Sequence, residues 1–364
     1  MTAKPSRSVL VVGNFLSATT SIRFVCEDLA DGLAASGWTV LTCSSRAGRA
    51  ARLADMLSTV WRRRGDYSAA LVDVYSGPAF LWAESTAALL RAIGKPHVLT
   101  LHGGNLPAFA RRWPGRVRRL LAGADAVTSP STYLARALAS YRPDVRVIPN
   151  PLEAARYPFR LRAAPRPRLV WLRAFHRIYR PELAPAVLAA VAARHPDATL
   201  TMIGPDKGDG SLAGTRAAAE ALGVADRVTI RGGIGKSEVP RALGDAEIFL
   251  NTTDVDNTPV SVLEAMASGL CVVTTDAGGI PDLARDGETA LVVPRGDAGA
   301  LASAVLRLVG DATLSARISR GGRAKAEEGD RARVLGEWRD LLGSLTAPRR
   351  PPAELAREAE RARA

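Results

Sequence analysis

The sequence predicts an α/β protein with two Rossmann-like, doubly wound parallel sheets that face each other across a cleft. Short apolar runs alternate with helix-length segments along the chain, which is the pattern of repeated strand–helix–strand units. The alternation occurs twice, on either side of the breaker cluster Ile148–Pro151. The length of 364 residues suits about two domains.

The N-terminal series begins at Ser8–Asn14, an apolar run bounded by glycine. Helical spacing follows over Ile22–Ala35, and Gly37 is predicted to end that helix. Four further strand-like runs continue the pattern: Trp38–Cys43, Ala69–Tyr75, His97–Leu101 and Ala126–Ser129. These elements predict an N-terminal domain over residues 1–150.

The C-terminal series begins with a predicted strand at Arg168–Leu172 and a helix over Pro181–Arg194, with proline in a favourable first-turn position. Its further predicted strands are Thr199–Ile203, Val228–Ile230, Ile248–Asn251, Cys271–Thr274 and Ala290–Val293. We therefore predict a linker at 151–166, a C-terminal domain at 167–345 and a polar tail at 346–364. Ligands bind beyond the carboxyl ends of parallel strands, so the cleft between the domains is the expected site.

Composition excludes several classes of protein. Hydrophobic residues make up 47% and charged residues 23%, as in ordinary globular proteins rather than disordered chains. No apolar run reaches the roughly 18 residues of a membrane span, and Val9–Leu16 fits a strand better than a signal peptide. We therefore expect a cytoplasmic location. Three cysteines and four histidines lack the spacing of a disulfide framework or a zinc site.

The formal net charge of +13 is concentrated in the first half of the chain. Residues 1–150 contain 19 basic and 9 acidic side chains, whereas residues 181–364 are slightly acidic. Such a basic half attracts nucleic acid, an anionic membrane surface or phosphorylated substrates. Aromatic residues are only 5%, and no recognised nucleic-acid motif is present, so no specific nucleic acid is expected.

Two basic clusters suggest peripheral contact with a membrane: Trp61–Arg64 and Arg111–Leu121. The second cluster places its apolar side chains at spacings that fit one helical face: Trp113, Val117, Leu120 and Leu121. That arrangement suits a helix lying in a headgroup layer. The alternative is a basic, solvated face with Trp113 in the core.

The most informative segment runs from Asn251 to Leu283. Asp256 and Glu264 are separated by seven residues, and Thr258-Pro259 between them suits the start of a helix. A helix N-terminus offers free N–H groups suited to phosphate, and a nearby carboxylate can accept hydrogen bonds from sugar hydroxyls. Taken alone, the spacing favours an ordinary charged surface helix.

The whole segment resembles the signature of family 4 glycosyltransferases, which are retaining enzymes of the two-domain GT-B architecture. Glu264–Gly269 matches the E-A-M-A-x-G part, Gly278–Asp282 matches the following turn with Asp for Glu, and Asp256 replaces the first glutamate. The resemblance implies that Glu264 binds the ribose hydroxyls and Asp256 the transferred sugar. It further implies a donor-binding segment that includes Thr258, Pro259, Val260, Val262 and Leu263.

The resemblance extends to other predicted strand ends. Arg173 matches an arginine that neutralises the diphosphate, and Arg177 or Arg180 would replace a lysine that usually follows it. Gly233 resembles part of the loop beside the nucleobase. The N-terminal domain, as the acceptor domain, is expected to contribute His102 near the sugar and phosphate, and Gly13 and Asn14 in a partly matching glycine loop. The C-terminal domain then binds the donor, and its last helices can pack back on the N-terminal domain.

The sequence therefore predicts a retaining glycosyltransferase that uses a UDP- or GDP-sugar and a carbohydrate or lipid-linked acceptor. Polysaccharide, glycolipid or other glycoconjugate synthesis is the expected setting. No Asp-x-Asp metal motif lies in a suitable position, so neither a metal nor another cofactor is expected. The alternatives are a non-catalytic protein that binds sugar nucleotides or nucleic acid and, with less support, an NAD-dependent oxidoreductase. An oxidoreductase of this kind would need a G-x-G-x-x-G motif after the first strand, and the sequence has none after Val9–Val12.

Overall fold

The computed structural model describes residues 7–17 and 23–346. Within them the strands form two six-stranded parallel sheets. The N-terminal sheet consists of β1 (Ser8–Val12), β2 (Thr39–Cys43), β3 (Ala69–Val74), β4 (His97–Leu101), β5 (Ala126–Ser129) and β6 (Arg146–Val147). The C-terminal sheet consists of β7 (Arg168–Leu172), β8 (Thr199–Ile203), β9 (Val228–Arg231), β10 (Ile248–Asn251), β11 (Cys271–Thr275) and β12 (Leu291–Val293). The predicted fold class is confirmed.

Helices connect the strands throughout. The first half contains α1 (Val25–Ala35), α2 (Arg49–Arg62), α3 (Phe80–Ala92), α4 (Leu106–Arg112), α5 (Pro114–Ala122) and α6 (Thr132–Leu138). The second half contains α7 (Leu183–Ala192), α8 (Ser211–Ala221), α9 (Val239–Gly244), α10 (Val260–Ala267), α11 (Ile280–Leu283), α12 (Ala298–Gly310), α13 (Ala312–Glu328) and α14 (Arg331–Thr346). Side-chain caps begin two of the long helices: Asp297 accepts from the amide of Ala300, and Asp311 accepts from that of Leu314.

The strand order of the N-terminal sheet is β2-β1-β3-β4-β5-β6. Val9 in β1 pairs with Val40 in β2 and with Ala69 in β3, so the parallel register brings their carboxyl ends to one edge. Helices α2 to α6 pack on one face of this sheet, and α1 and α14 pack on the other. The short, partly exposed β6 was not predicted, because two residues make no apolar run.

The order of the C-terminal sheet is β12-β11-β10-β7-β8-β9. Helices α7, α8 and α12 cover one face, and α9, α10 and α11 cover the other. The long α13 contributes Leu314 and Ile318 to the first face and Ala326 to the second. Both sheets are therefore covered on both faces, as parallel sheets require.

The chain passes between the two sheets twice. It leaves the N-terminal sheet after β6, and it returns at the end, where Val334, Trp338 and Leu342 of α14 pack against β1 and β3. In the part of the chain that the structure describes, no helix is long and apolar enough to cross a membrane. Apart from Thr346, the predicted polar tail lies outside the described residues.

The apolar face of α5 faces the core, which corrects the expectation that it lies in a headgroup layer. Val117 and Leu121 are each 1% exposed and Leu120 is 3% exposed, because they pack with α3 and α4 over the N-terminal sheet. Trp113 is 46% exposed, so the alternative that placed it in the core is also wrong. Exposed arginines surround it, and Arg116 pairs with Glu84.

Candidate active site

A cavity of about 540 Å³ lies at the carboxyl ends of the strands of the C-terminal sheet. Its C-terminal wall comes from the ends of β7 and β8, the loop after β9 and the first turn of α10. Its opposite wall comes from Arg23 and Phe24, which precede α1, and from Asp28 near the start of that helix. The cavity therefore lies between the two sheets.

Arg173, which lines this cavity, forms a direct ion pair with Asp256, which lies behind the lining. Arg173 is the first residue after β7, and its amide donates a 3.0 Å hydrogen bond to the carbonyl of Ile203. Its guanidinium carbon lies 4.4 Å from the ring centre of Tyr179, a cation–π contact. The Nε atom is buried and has no hydrogen-bond partner among the described residues. The guanidinium is therefore held in place while its buried Nε–H stays unused.

The loop that carries Asp256 passes between glycines from both halves of the chain. A Cβ atom on Gly104, which follows β4, would lie 2.6 Å from the carbonyl of Asp256. A Cβ atom on Gly278, whose φ is +56°, would lie 2.0 Å from the same oxygen. Only glycine permits these approaches, so the two Gly-Gly steps in the sequence bring the Asp256 loop into place.

The first turn of α10 supplies hydrogen-bond donors to the cavity. The amides of Val262 and Leu263 donate to the carbonyl of Pro259, at 3.1 and 3.4 Å, and both side chains are buried in the core. Helix geometry then leaves the amides of Val260 and Ser261 as the available donors of the first turn. Both residues line the cavity, and the Ser261 Oγ is buried without a partner among the described residues.

Glu264 lies in the second turn of α10 and is 4% exposed. Its Oε1 accepts a hydrogen bond of 2.5 Å from the Tyr157 hydroxyl. The same oxygen forms an ion pair with Lys236 Nζ at 2.6 Å. Burial and the neighbouring carboxylate raise the pKa of the Tyr157 phenol, so this group stays protonated and donates. Sequence reasoning missed both partners, because neither lies in the signature segment.

Arg177 and Arg180, the other two arginines predicted to bind the diphosphate, lie outside the cavity lining. Arg177 is exposed, whereas Arg180 pairs with Glu182 at 2.5 Å and with Asp254 at 3.1 Å. The hydrogen bond that Arg180 donates to Glu182 outweighs the effect of burial and raises the pKa of Arg180. Neither arginine lines the cavity. The basic residues that line it together with Arg173 are Arg23, Lys207 and Lys236.

Two further predicted donor-binding residues take different positions. Gly233 lines the cavity beside Ile234, in the loop that follows β9. Thr258 faces the N-terminal half: its hydroxyl donates to the carbonyl of Pro130 at 3.4 Å, and its own carbonyl accepts from Asn150 at 3.5 Å. Thr258 therefore joins the two halves of the chain near the start of α10.

His102 belongs to a second cluster, at the carboxyl ends of β3 and β4 of the N-terminal sheet. Its Nε2 lies 3.0 Å from Asp73 Oδ1, and its ring stacks on Tyr75 with centres 5.1 Å apart. The imidazole is only 8% exposed, so this carboxylate fixes its orientation. Asp73 was not predicted as a site residue; a polar side chain near the end of a buried strand was the available signal.

Gly13 and Asn14 adjoin this second cluster from the end of β1. A Cβ atom on Gly13 would lie 2.7 Å from Asp73 Oδ2, so a larger residue would displace the carboxylate. The side-chain oxygen of Asn14 accepts a 2.6 Å hydrogen bond from the buried Arg52. The loop that follows His102 brings Gly104 against the backbone of Asp256, the partner of Arg173.

The three cysteines are free and buried. Burial raises the pKa of Cys43 and of Cys271 to about 12, so both stay as thiols. Within residues 7–17 and 23–346, no group of three His, Cys, Asp or Glu side chains could hold a metal ion.

Two family models match the chain. The model described as Glycosyltransferase Family 4 matches residues 23–156, and the model described as Glycosyl transferases group 1 matches residues 166–311. A GDP-mannose-dependent alpha-(1-6)-phosphatidylinositol monomannoside mannosyltransferase from Mycobacterium tuberculosis is 29% identical over 252 residues, 64% of this chain and 63% of the relative. A 2-deoxystreptamine N-acetyl-D-glucosaminyltransferase from Streptomyces fradiae is 29% identical over 295 residues, 73% of this chain and 66% of the relative. The matched region thus spans slightly less than two thirds of these relatives.

Solved structures share the fold. Sucrose-phosphate synthase from Thermosynechococcus elongatus superposes with a TM-score of 0.76 and 18% identity, covering 94% of this chain and 99% of that one. HepE from Anabaena, in complex with UDP and glucose, superposes with a TM-score of 0.73 and 16% identity, covering 93% of this chain and 100% of that one. At such identities the likeness establishes the two-sheet architecture.

Proposed function

From the premise that the chain belongs to family 4 of the glycosyltransferases, we propose that it transfers a glycosyl group from a nucleoside diphosphate sugar to an acceptor. The cavity at the start of α10 carries the proposal. There the Arg173 Nε and the Ser261 Oγ are buried without partners among the described residues. A diphosphate fits these donors, because a helix N-terminus and a guanidinium both attract anions.

Each site residue then has a distinct role. Arg173 and the first turn of α10 bind the diphosphate, Glu264 accepts hydrogen bonds from the ribose hydroxyls, and Asp256 contacts the transferred sugar. Negative charge grows on the diphosphate as its bond to the sugar breaks. Donors already fixed in place stabilise that charge, and one such donor is worth about 10²- to 10³-fold in rate.

We propose that the reaction retains the anomeric configuration. Asp256 is engaged by Arg173, and no other side chain is assigned as a nucleophile. The acceptor hydroxyl attacks the anomeric carbon on the face that the diphosphate leaves, and a leaving phosphate oxygen takes the hydroxyl proton. His102 contacts the sugar from the N-terminal side. An NMR spectrum of the product tests this: an inverted anomeric signal overturns the proposal.

The donor is proposed to be a UDP- or GDP-sugar, and the acceptor a carbohydrate or a lipid-linked glycan precursor. The mannosyltransferase relative is GDP-mannose-dependent by name, and HepE was solved with UDP. A thermal-shift panel of nucleotide sugars tests the donor, since a ligand at 100 times its Kd adds about 2.7 kcal/mol of stability. Stabilisation by one nucleotide sugar, followed by product formation, supports the proposal. Absence of both overturns it.

Three other functions make different predictions in the same assays. A non-catalytic sugar-nucleotide-binding protein would be stabilised by a nucleotide sugar without hydrolysing or transferring it. A nucleic-acid-binding protein would bind generic DNA with strong salt dependence and show no nucleotide-sugar hydrolysis. An NAD-dependent oxidoreductase would instead be stabilised by NAD.

We propose that no metal ion is required, because Arg173 supplies positive charge where the diphosphate is expected. Transfer should persist in EDTA. Activity lost in EDTA and restored by magnesium or manganese overturns the proposal.

We also propose peripheral contact with an anionic membrane through the N-terminal domain. Trp61 and Trp113 are 51% and 46% exposed, and exposed arginines lie next to both. They belong to the layer of helices on one face of the N-terminal sheet, to which α2 and α5 contribute. Each basic side chain near such a surface contributes about 1 kcal/mol, so several would dock the protein reversibly. Docking would bring a lipid-linked acceptor close to the cleft.

A further inference from the structure

The Glu264 carboxylate is held on one side only. Its Oε1 accepts from both the Tyr157 hydroxyl and the Lys236 ammonium group, at 2.5 and 2.6 Å. No hydrogen bond to Oε2 comes from any residue in the described ranges. Glu264 lines the cavity, so Oε2 is the oxygen that remains for a ligand.

The two donors come from separate parts of the chain. Tyr157 lies within the linker segment 151–166, is 3% exposed, and is anchored through its carbonyl, which accepts a 2.9 Å hydrogen bond from Arg323 of α13. Lys236 lies in the loop between β9 and α9, and its side chain is 30% exposed. Approach from two directions fixes the rotamer of Glu264.

A buried carboxylate needs such partners. Transfer of an ionised carboxyl group out of water is costly unless charge and hydrogen bonds compensate for the lost hydration. Lys236 supplies the compensating positive charge. The Tyr157 phenol supplies a hydrogen bond and, because it is neutral, adds no second negative charge beside Glu264. With Oε1 satisfied in this way, Oε2 can accept from a hydroxyl group without any rearrangement of the protein.

We propose that Tyr157 and Lys236 are positioning residues for ribose recognition, which orient Glu264 toward the 2′- and 3′-hydroxyls of a ribonucleoside diphosphate. The inference rests on the proposed function, because it needs a nucleotide in the cavity. It adds to the signature a tyrosine from the linker and a lysine from another loop. Both should act only on ligands that carry the ribose hydroxyls.

Discrimination between ribose and dideoxyribose tests the inference. Calorimetric titration compares the wild type and Tyr157→Phe, using UDP, GDP and their 2′,3′-dideoxy counterparts. We expect Tyr157→Phe to weaken the ribonucleotide about 5- to 30-fold, in the range of a lost hydrogen bond to a charged group. The dideoxynucleotide should change less than about twofold, since Glu264 has no hydroxyl to bind. Lys236→Gln should behave similarly.

Tyr141→Phe is the matched control. Its hydroxyl donates a 3.1 Å hydrogen bond to the carbonyl of Ala110 in the N-terminal domain, so the same chemical change is made far from Glu264. Affinity for the ribonucleotide should stay unchanged in this variant. Thermal unfolding verifies that each variant is folded, and the partly exposed Lys236 provides a second substitution if Tyr157→Phe does not fold.

The outcomes separate the two proposals. If the wild type binds neither UDP nor GDP, the proposed function fails and this inference fails with it. If the wild type binds one of them and both variants bind it equally well, the inference alone is overturned. Equal weakening of the ribo- and dideoxy-nucleotides also overturns it, because that result indicates a general structural role.

Discussion

Substitution of Arg173 by lysine keeps the positive charge beside Asp256 but removes the planar fork. In the structure, one terminal nitrogen of Arg173 is paired with Asp256, while Nε is buried and unpartnered among the described residues. A lysine has a single nitrogen, so it cannot hold Asp256 and reach a diphosphate in the same geometry. The loss is about one hydrogen bond to a charged group, 1.5–3 kcal/mol, or roughly 10- to 100-fold in affinity.

Calorimetric titration of Arg173→Lys with UDP and GDP measures this loss. Turnover should fall at least as far, because the leaving diphosphate gains charge in the transition state. Arg216→Lys is the control, since Arg216 is exposed on α8 and away from the cavity lining. If Arg173→Lys is folded, binds within twofold of the wild type and turns over at the same rate, the assignment of Arg173 is refuted.

Three further predictions concern the N-terminal domain. Asp73→Asn should lower turnover about 10- to 100-fold with nucleotide affinity nearly unchanged, because His102 loses a charged acceptor; equal turnover contradicts this. Burial lowers the pKa of His97 below 6.5, so the unfolded chain takes up the proton more readily. Stability should therefore fall as the pH drops through about 6.5, by up to about 1.4 kcal/mol per pKa unit, and less in His97→Gln, as followed by thermal unfolding. Flotation should show salt-sensitive binding to anionic vesicles that is lost when Arg118 and Arg119 are changed to Glu; no binding at low salt contradicts the membrane proposal.

The strands could be predicted well because parallel strands are buried on both faces and appear as continuous apolar runs. The predicted bounds of His97–Leu101, Arg168–Leu172 and Thr199–Ile203 are those of β4, β7 and β8. Helix α5 was harder, because an apolar stripe flanked by arginines fits a sheet surface as well as a headgroup layer. Only the packing of Val117 against the N-terminal core decides between them.

Residues of the candidate site could be predicted only where they belong to a local sequence motif. The signature identified Asp256 and Glu264, and the end of β7 identified Arg173, because local spacing is visible in one segment. Tyr157 is 107 residues from Glu264, and no spacing rule relates a linker residue to a helix in the next domain. Contacts of this kind follow from the relative placement of elements, which the sequence pattern does not specify.

The signature segment also joins the two halves of the chain, through contacts that a ligand alone would not require. Asp282, which stands where the family pattern has glutamate, accepts 2.6 Å hydrogen bonds from Thr132 and from Arg136 of α6. Asn257, next to Asp256, contacts Ser131 just before that helix. An exposed ion pair contributes only about 0–1 kcal/mol, so the Arg136–Asp282 pair by itself holds the two halves together weakly. The loop that carries Asp256, which we propose contacts the donor sugar, is the same loop that meets Gly104 and Ser131 of the N-terminal half. A movement of one half relative to the other would therefore shift the Asp256 carboxylate.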